Sequence, residues 1–330
     1  MLRNAANPLL LKHMGRTVHA SCQPSQFSRR DFLAGTFVSG AAFALSCMPG
    51  WSATETKVSS PIAVFSKIYQ ELKLDFEGAA AVTADADLDG IDCPVRAGGE
   101  ILPERAADQL PAYAQILERR KLGIKLLTTD ITGPKSPHVE TVLRTAQTLG
   151  IRFYRFGFVS REAGSSIEGQ MREVRAHLRE LSALNKELGM CTLLQNHSPS
   201  GHTVYFGGDL SELEQAVEGF DPAQIGVAFD IGHALVVHGD KWRQHFEALR
   251  AHFKIAYVKD VKRTGSWVPF GQGDISSTGY FRLLKEMNYH APISLHIEFE
   301  WQEPGKPKSR ERLTQVLKES AEVLRGWLAA

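Results

Sequence analysis

Ile225-Gly226-Val227-Ala228-Phe229-Asp230-Ile231-Gly232-His233 reads as one unit of a parallel sheet, a short apolar run that turns polar just where it ends. Side chains alternate across a strand, so Gly226 and Ala228 share a face with Asp230. Two small residues suit a crowded interior and carry the carboxylate to its mouth. Five runs of the same form precede it: Pro61–Ser66, Asp89–Cys93, Gly123–Thr129, Ile151–Phe156 and Met190–Gln195. Two more follow, Lys254–Lys259 and Pro292–Glu298. Amphipathic segments separate them, among them Arg105–Lys121, Ile167–Leu188, Trp242–Phe253, Thr278–Met287 and Arg310–Leu328. This alternation predicts an α/β fold, a parallel sheet with crossover helices. Eight such units fit a closed (β/α)8 barrel better than an open doubly wound sheet, which carries a Gly-rich phosphate turn after its first strand. No GxGxxG or P-loop follows any of the eight runs.

The composition agrees with a large packed core. Of 330 residues, 43% are hydrophobic and 9% aromatic, which excludes general disorder. The 38 Lys and Arg nearly balance 37 Asp and Glu, so no basic footprint points to nucleic acid or to an anionic membrane surface. A small polar or neutral ligand is the expected partner. Four cysteines, none in a CxxC pair, neither build a disulfide scaffold nor mark a zinc or redox motif.

Residues 1–53 read as an address. Ser28-Arg29-Arg30-Asp31-Phe32-Leu33 followed by the weakly apolar run Ala34–Met48 resembles a twin-arginine export signal. That run is shorter than the ~20 residues of a membrane span and interrupted by polar positions, so no stable span is expected. The resemblance implies folding before export through the twin-arginine machinery, a periplasmic or cell-envelope location, and cleavage near Ala53. The remaining single domain, 54–330, carries 33 basic and 36 acidic side chains and keeps only Cys93 and Cys191, both expected to be buried.

In a closed barrel the site forms where strands run out at their C-terminal ends. Those ends are polar here: Asp92 and Arg96 after the second run, Gln195-Asn196-His197 after the fifth, Asp230 and His233 at the sixth, Lys259-Asp260 at the seventh, His296, Glu298 and Glu300 at the eighth. On the eighth, Leu295, Ile297 and Phe299 would face the helices, leaving His296, Glu298 and Glu300 for the lumen.

Asp89-Gly90-Ile91-Asp92 with Val95-Arg96, Gln195-Asn196-His197, Asp230-Ile231-Gly232-His233, Lys259-Asp260, Gly271-Gln272-Gly273-Asp274 and Ser294–Glu298 together resemble the xylose-isomerase-like TIM-barrel superfamily of sugar isomerases and epimerases, over residues 61–328. The resemblance implies one divalent cation (Mn, Mg or Zn) held by a carboxylate on strand 5, an Asp on strand 6, a His on strand 7 and a Glu on strand 8. By position these become Gln195, Asp230, Tyr257 and Glu298, so two of the four match and His197, His233 or His296 would have to reinforce the set. The superfamily also includes DNA-repair endonucleases, which need many metal ligands and a basic groove that this chain lacks.

The implied chemistry is proton abstraction from a carbon beside a carbonyl on an unphosphorylated carbohydrate. Glu298 or His197 is the candidate base, Lys259 with any metal holds the enediolate oxygen, and Arg96, Arg155, Asn196 and His233 orient sugar hydroxyls. Plainer roles compete: a loop cap by Arg96 with Glu100 or Glu104, an ion pair in the lumen for Arg155, a structural salt bridge from Lys259 to Glu298 or Asp230. Two further functions stay open, a keto-sugar or keto-glycoside lyase or hydro-lyase, and a sugar-binding barrel without catalysis.

Overall fold

Five of the eight apolar runs form strands buried along their whole length and the other three are buried toward their C-terminal ends, as parallel strands are when a filled lumen lies on one side and helices on the other. The computed structural model describes residues 60–161 and 166–330; the expected export segment lies outside the described residues. Eight parallel strands close into one barrel in sequence order: β1 Ile62–Phe65, β2 Gly90–Val95, β3 Gly123–Thr129, β4 Phe153–Arg155, β5 Cys191–Gln195, β6 Ile225–Asp230, β7 Phe253–Val258 and β8 Ile293–Leu295. Closure is made by β8 against β1, with Ile62 opposite Ile293.

Among the described residues nine α-helices pack outside: α1 Phe76–Asp85, α2 Ala106–Glu118, α3 Val139–Thr148, α4 Ile167–Leu188, α5 Leu210–Val217, α6 Ile231–His238, α7 Trp242–Leu249, α8 Tyr280–Glu286 and α9 Arg310–Ala329. Side chains accept backbone N–H groups at several N-termini, Asp75 for α1, Ser166 for α4 and Ser309 for α9. No helix among the described residues is long and apolar enough to cross a membrane.

Alternation sorts the core into two. Leu126, Cys191, Leu193, Ala228, Ile255 and Tyr257 fill the lumen, whereas Phe229 points outward onto Phe246 of α7 and Tyr280 of α8. The crowding expected at Gly226 is present: a Cβ there would meet Lys254 Cγ at 2.6 Å and the His252 carbonyl at 3.0 Å. Cys93 and Cys191 are both free and buried.

Two features depart from the sequence expectations. The eighth strand was expected to run to Glu298 but ends at Leu295. Its inward row continues through His296 to Glu298 and then fails, so Glu300 leaves the lumen, lies largely exposed and sits 3.5 Å from Lys308. The second is α6, which starts on the residue after β6 with no loop between, its N-terminus capped by Asp230 itself.

Candidate active site

The inward rows of the strands, carried a step or two past their ends, meet in one cavity of about 80 Å³. Phe65 and Lys67 come from β1, Arg96 from β2, Thr128 from β3 and Arg155 from β4. Gln195 and His197 follow β5, Tyr257 and Lys259 follow β7, and His296 and Glu298 follow β8. A larger hollow of about 450 Å³, bordered by Gln70, Leu74 and Phe76, contains none of these inward-facing residues.

Lys259 is the best-held charge in this cavity. Its Nζ lies 3.1 Å from Asp230 Oδ2 and 2.9 Å from His233 Nε2, and the Trp267 ring covers it at 5.1 Å. An ammonium only donates, so His233 Nε2 is the acceptor and the ring proton sits on Nδ1, where it reaches Ser198 Oγ at 2.8 Å. Burial, reinforced by Lys259, holds His233 well below the usual imidazole range and therefore neutral. Burial pushes the Asp230 carboxyl up, and the Lys259 ammonium opposes that push. Asp230 also accepts the His233 backbone N–H at 3.2 Å as the α6 cap and Gln195 Nε2 at 3.2 Å. Asp260, the next residue, gathers the backbone N–H groups of Val261, Gly271 and Gly273 at 2.8–2.9 Å and so folds the loop that carries Trp267.

A second lysine was not anticipated. Lys67 donates to both oxygens of Glu298, at 2.9 and 3.1 Å. Burial works against the Glu298 charge, but Lys259 and Lys67 outweigh it and keep the carboxyl below its ordinary range. His197 donates Nδ1–H to the Ser198 carbonyl at 2.6 Å, leaving the Nε2 lone pair free to accept a proton. Burial and then the Lys259 charge lower its pKa to about 4, so the imidazole is neutral.

Beneath the cavity, Asp92 accepts Thr128 Oγ1 at 2.7 Å and Ser294 Oγ at 2.8 Å, and burial raises its pKa to about 6. Arg155, 1% exposed, donates to the carbonyls of Phe156 and Thr129 and lies 4.1 Å over the Phe158 ring. The expected cap of Arg96 is absent among the described residues: Glu100 instead accepts from Ser66 and from Tyr113 at 3.1 Å.

The expected divalent cation does not fit these side chains. Asp230 is committed to Lys259, to the α6 cap and to the Gln195 amide, while both oxygens of Glu298 are engaged by Lys67. Tyr257 is a neutral phenol, its pKa raised far beyond the ordinary value by burial and then by Asp92, and such a hydroxyl is a poor ligand for Mg or Mn. Gln195 offers one neutral oxygen. Among the described residues no three His, Cys, Asp or Glu side chains are grouped to hold a metal. The positive charge beside Asp230 is the Lys259 ammonium, and the side chains of Gln195, Asp230 and Glu298 as they stand are engaged with other partners rather than gathered around a cation.

Of the other anticipated residues, Glu298, Lys259, His197, Arg96 and Arg155 line the cavity together. Asn196 and His233 do not. Asn196 is 1% exposed and both ends of its amide are used on the Asp230 backbone, donating to its carbonyl and accepting its N–H, each at 2.8 Å. His233 supports Lys259 from behind. Both side chains are turned to partners within the protein, Asn196 to the Asp230 backbone and His233 to Ser198 and Lys259. The residues not anticipated, Phe65, Lys67 and Thr128, continue the same inward rows, and alternation along the first run from Ala63 through Phe65 leads to Lys67.

An eight-stranded barrel with a polar, ionisable cavity at the C-terminal strand ends defines the class of molecule. The chain belongs to the xylose isomerase-like TIM barrel family, whose model matches residues 80–327. It is similar to the solved structure of 3-keto-D-glucoside 4-epimerase from E. coli, with 13% identity, a TM-score of 0.62, and 81% of this chain and 100% of that one covered. The probable 3-DHS dehydratase involved in petrobactin synthesis from Bacillus anthracis matches at 15% identity and TM-score 0.58, over 81% and 98% of the two chains. A xylose isomerase-like TIM barrel protein from Mycobacterium smegmatis, in complex with magnesium, matches at 13% identity and TM-score 0.57, over 82% and 99%. At these identities the likeness is one of fold. No curated protein is similar enough in sequence to stand as a relative.

Proposed function

We propose that this chain is a sugar isomerase or epimerase that removes a proton from the carbon next to a carbonyl. The observation that carries the reading is the convergence of two proton acceptors, Glu298 and His197, with the Lys259 ammonium on one small cavity. A base takes the proton, the C–H electron pair moves to the carbonyl carbon, and the carbonyl oxygen becomes the enediolate oxygen that Lys259 stabilises. Returning a proton to the other carbon isomerises the sugar, as the hydroxyl on the first carbon gives up its proton to become the new carbonyl and the enediolate oxygen takes one up; returning it to the same carbon from the other face epimerises it and restores the original carbonyl. Glu298 is ionised at neutral pH, and where it is the base its pair with Lys67 must loosen before it takes the proton.

Incubation with a panel of ketoses and 3-keto-glycosides in deuterated water tests the reading. Solvent deuterium entering the carbon beside the carbonyl is the expected result. Loss of water or of a leaving group would move the chain to the elimination class, and binding without exchange would make it a sugar-binding barrel.

We also propose that the folded domain works outside the cytoplasm, on the strength of the Arg29-Arg30 signal. Cell fractionation of the double substitution Arg29→Lys, Arg30→Lys checks this, and unchanged export would sink it.

A further inference from the structure

The charges lining the cavity do not cancel. Lys67 is paired with Glu298 and Lys259 with Asp230, whereas neither Arg96 nor Arg155 has a carboxylate in ion-pair contact among the described residues. Asp92 and Asp130 are felt by Arg155 from further away. Asp92 is fully buried with its oxygens turned to Thr128 and Ser294, and Asp130 accepts the Ala97 N–H at the exposed rim. Each guanidinium is backed by an aromatic face, Arg96 at 5.8 Å from Phe65 and Arg155 at 4.1 Å from Phe158.

Hydrogen-bonding capacity is lopsided in the same direction. Two of the N–H groups of Arg155 are spent on backbone carbonyls, out of the five a guanidinium carries. The Arg96 side chain donates none among the described residues. Acceptors are scarce, because the carboxylates of Glu298 and Asp230 are already engaged. A neutral sugar presents hydroxyls that need both donors and acceptors. A carboxylate only accepts, and two forks of N–H donors match its plane.

We propose that the substrate is a sugar acid whose carboxylate is bound by Arg96 and Arg155, leaving the carbonyl end for Lys259. This rests on the proton-abstraction reading above and narrows its substrate from carbohydrates at large to anionic ones.

Calorimetric titration of the purified protein with D-glucuronate, D-galacturonate, D-gluconate and 2-keto-D-gluconate, each set against D-glucose, D-galactose or D-fructose, tests it. At least one acid should bind about tenfold more tightly than its neutral counterpart, and high salt should shrink the gap. Arg96→Gln should weaken the acid about tenfold more than it weakens the matched neutral sugar, so that the preference disappears; among the described residues its side chain makes no hydrogen bond within the protein, so the fold survives. Arg155→Lys, read with a thermal melt, is the second variant. Equal or better binding of neutral sugars, failure of every acid to bind, or tighter binding of a sugar phosphate than of the matched acid would each overturn the proposal. Deuterium exchange into a neutral ketose without preference for acids leaves isomerisation standing and removes the sugar acid. Preference for acids without exchange does the reverse.

Discussion

Lys259 is the most firmly held charge at the cavity wall. An ammonium carries a single charge where a divalent ion would carry two, but it is fixed by Asp230 and His233 at 3.1 and 2.9 Å and shielded by Trp267, so its field acts in a nearly water-free wall. Lys259→Met should therefore lower deuterium exchange by about a hundredfold or more, and Lys259→Arg should not restore it, because a planar fork cannot occupy a seat built for a compact ammonium. Chelation with EDTA should change neither exchange nor the melting temperature. The pH profile carries a sign. A base works unprotonated, His197 titrates at about 4, and Glu298 lies below its ordinary 4.5. kcat/KM should be flat through neutrality and fall only as the pH drops through about 4. In Lys259→Met both groups lose a neighbouring positive charge, so the acid limb should move to higher pH. A limb that stays in place would remove both residues as candidates for the base.

At the scale of elements, the junction between β5 and β6 holds the active face together. Asn196, just past β5, closes a reciprocal pair of hydrogen bonds with the backbone of Asp230, and Asp230 in turn starts α6. Asn196→Ala leaves the buried Asp230 N–H unpaired and takes one donor from its carbonyl, and should cost on the order of 2 kcal/mol in a urea titration. Exchange should fall with it, since Asp230 would no longer hold Lys259 in register; a variant as stable as wild type would disprove the clamp. Some of this was legible beforehand and some was not. The eight apolar runs placed Glu298, Lys259, His197, Arg96 and Arg155 at or near strand ends, and alternation along the eighth run turned Glu298 inward, because period two is written directly in the side chains. The clamp was not legible: Asn196 bonds to backbone, which has the same atoms at every position. Glu300 was misplaced for a related reason, since alternation holds only while the strand row continues. Lys67 was overlooked because the first run was ended at Ser66, one residue short of the polar position that its own alternation supplies.

Over the whole molecule, the barrel interior is layered from apolar to ionisable, and the boundary layer is where folding and function oppose each other. Leu126, Leu193 and Ile255 fill the lumen, Asp92 lies in the same interior among Thr128, Ser294 and Tyr257, and the lysines and arginines stand at the mouth. A carboxylate in that layer is costly. Burial raises the Asp92 pKa from 3.8 to about 6, so the fold binds this proton more tightly than the unfolded chain does. Its contribution to stability is therefore greatest at low pH and is lost as the pH rises from the ordinary carboxylate range through about 6. The buried neutral histidines His233 and His296 act with the opposite sign, because they charge on unfolding below their ordinary value. The overall pH dependence of stability mixes the two, and a difference between variant and wild type isolates the carboxylate. Asp92→Asn keeps the shape and does not titrate. Compared with wild type by urea denaturation, it should gain on the order of 2 kcal/mol between pH 4 and pH 8. A difference independent of pH would mean that Asp92 stays ionised at both ends, held by Arg155 and the two hydroxyls more firmly than burial resists.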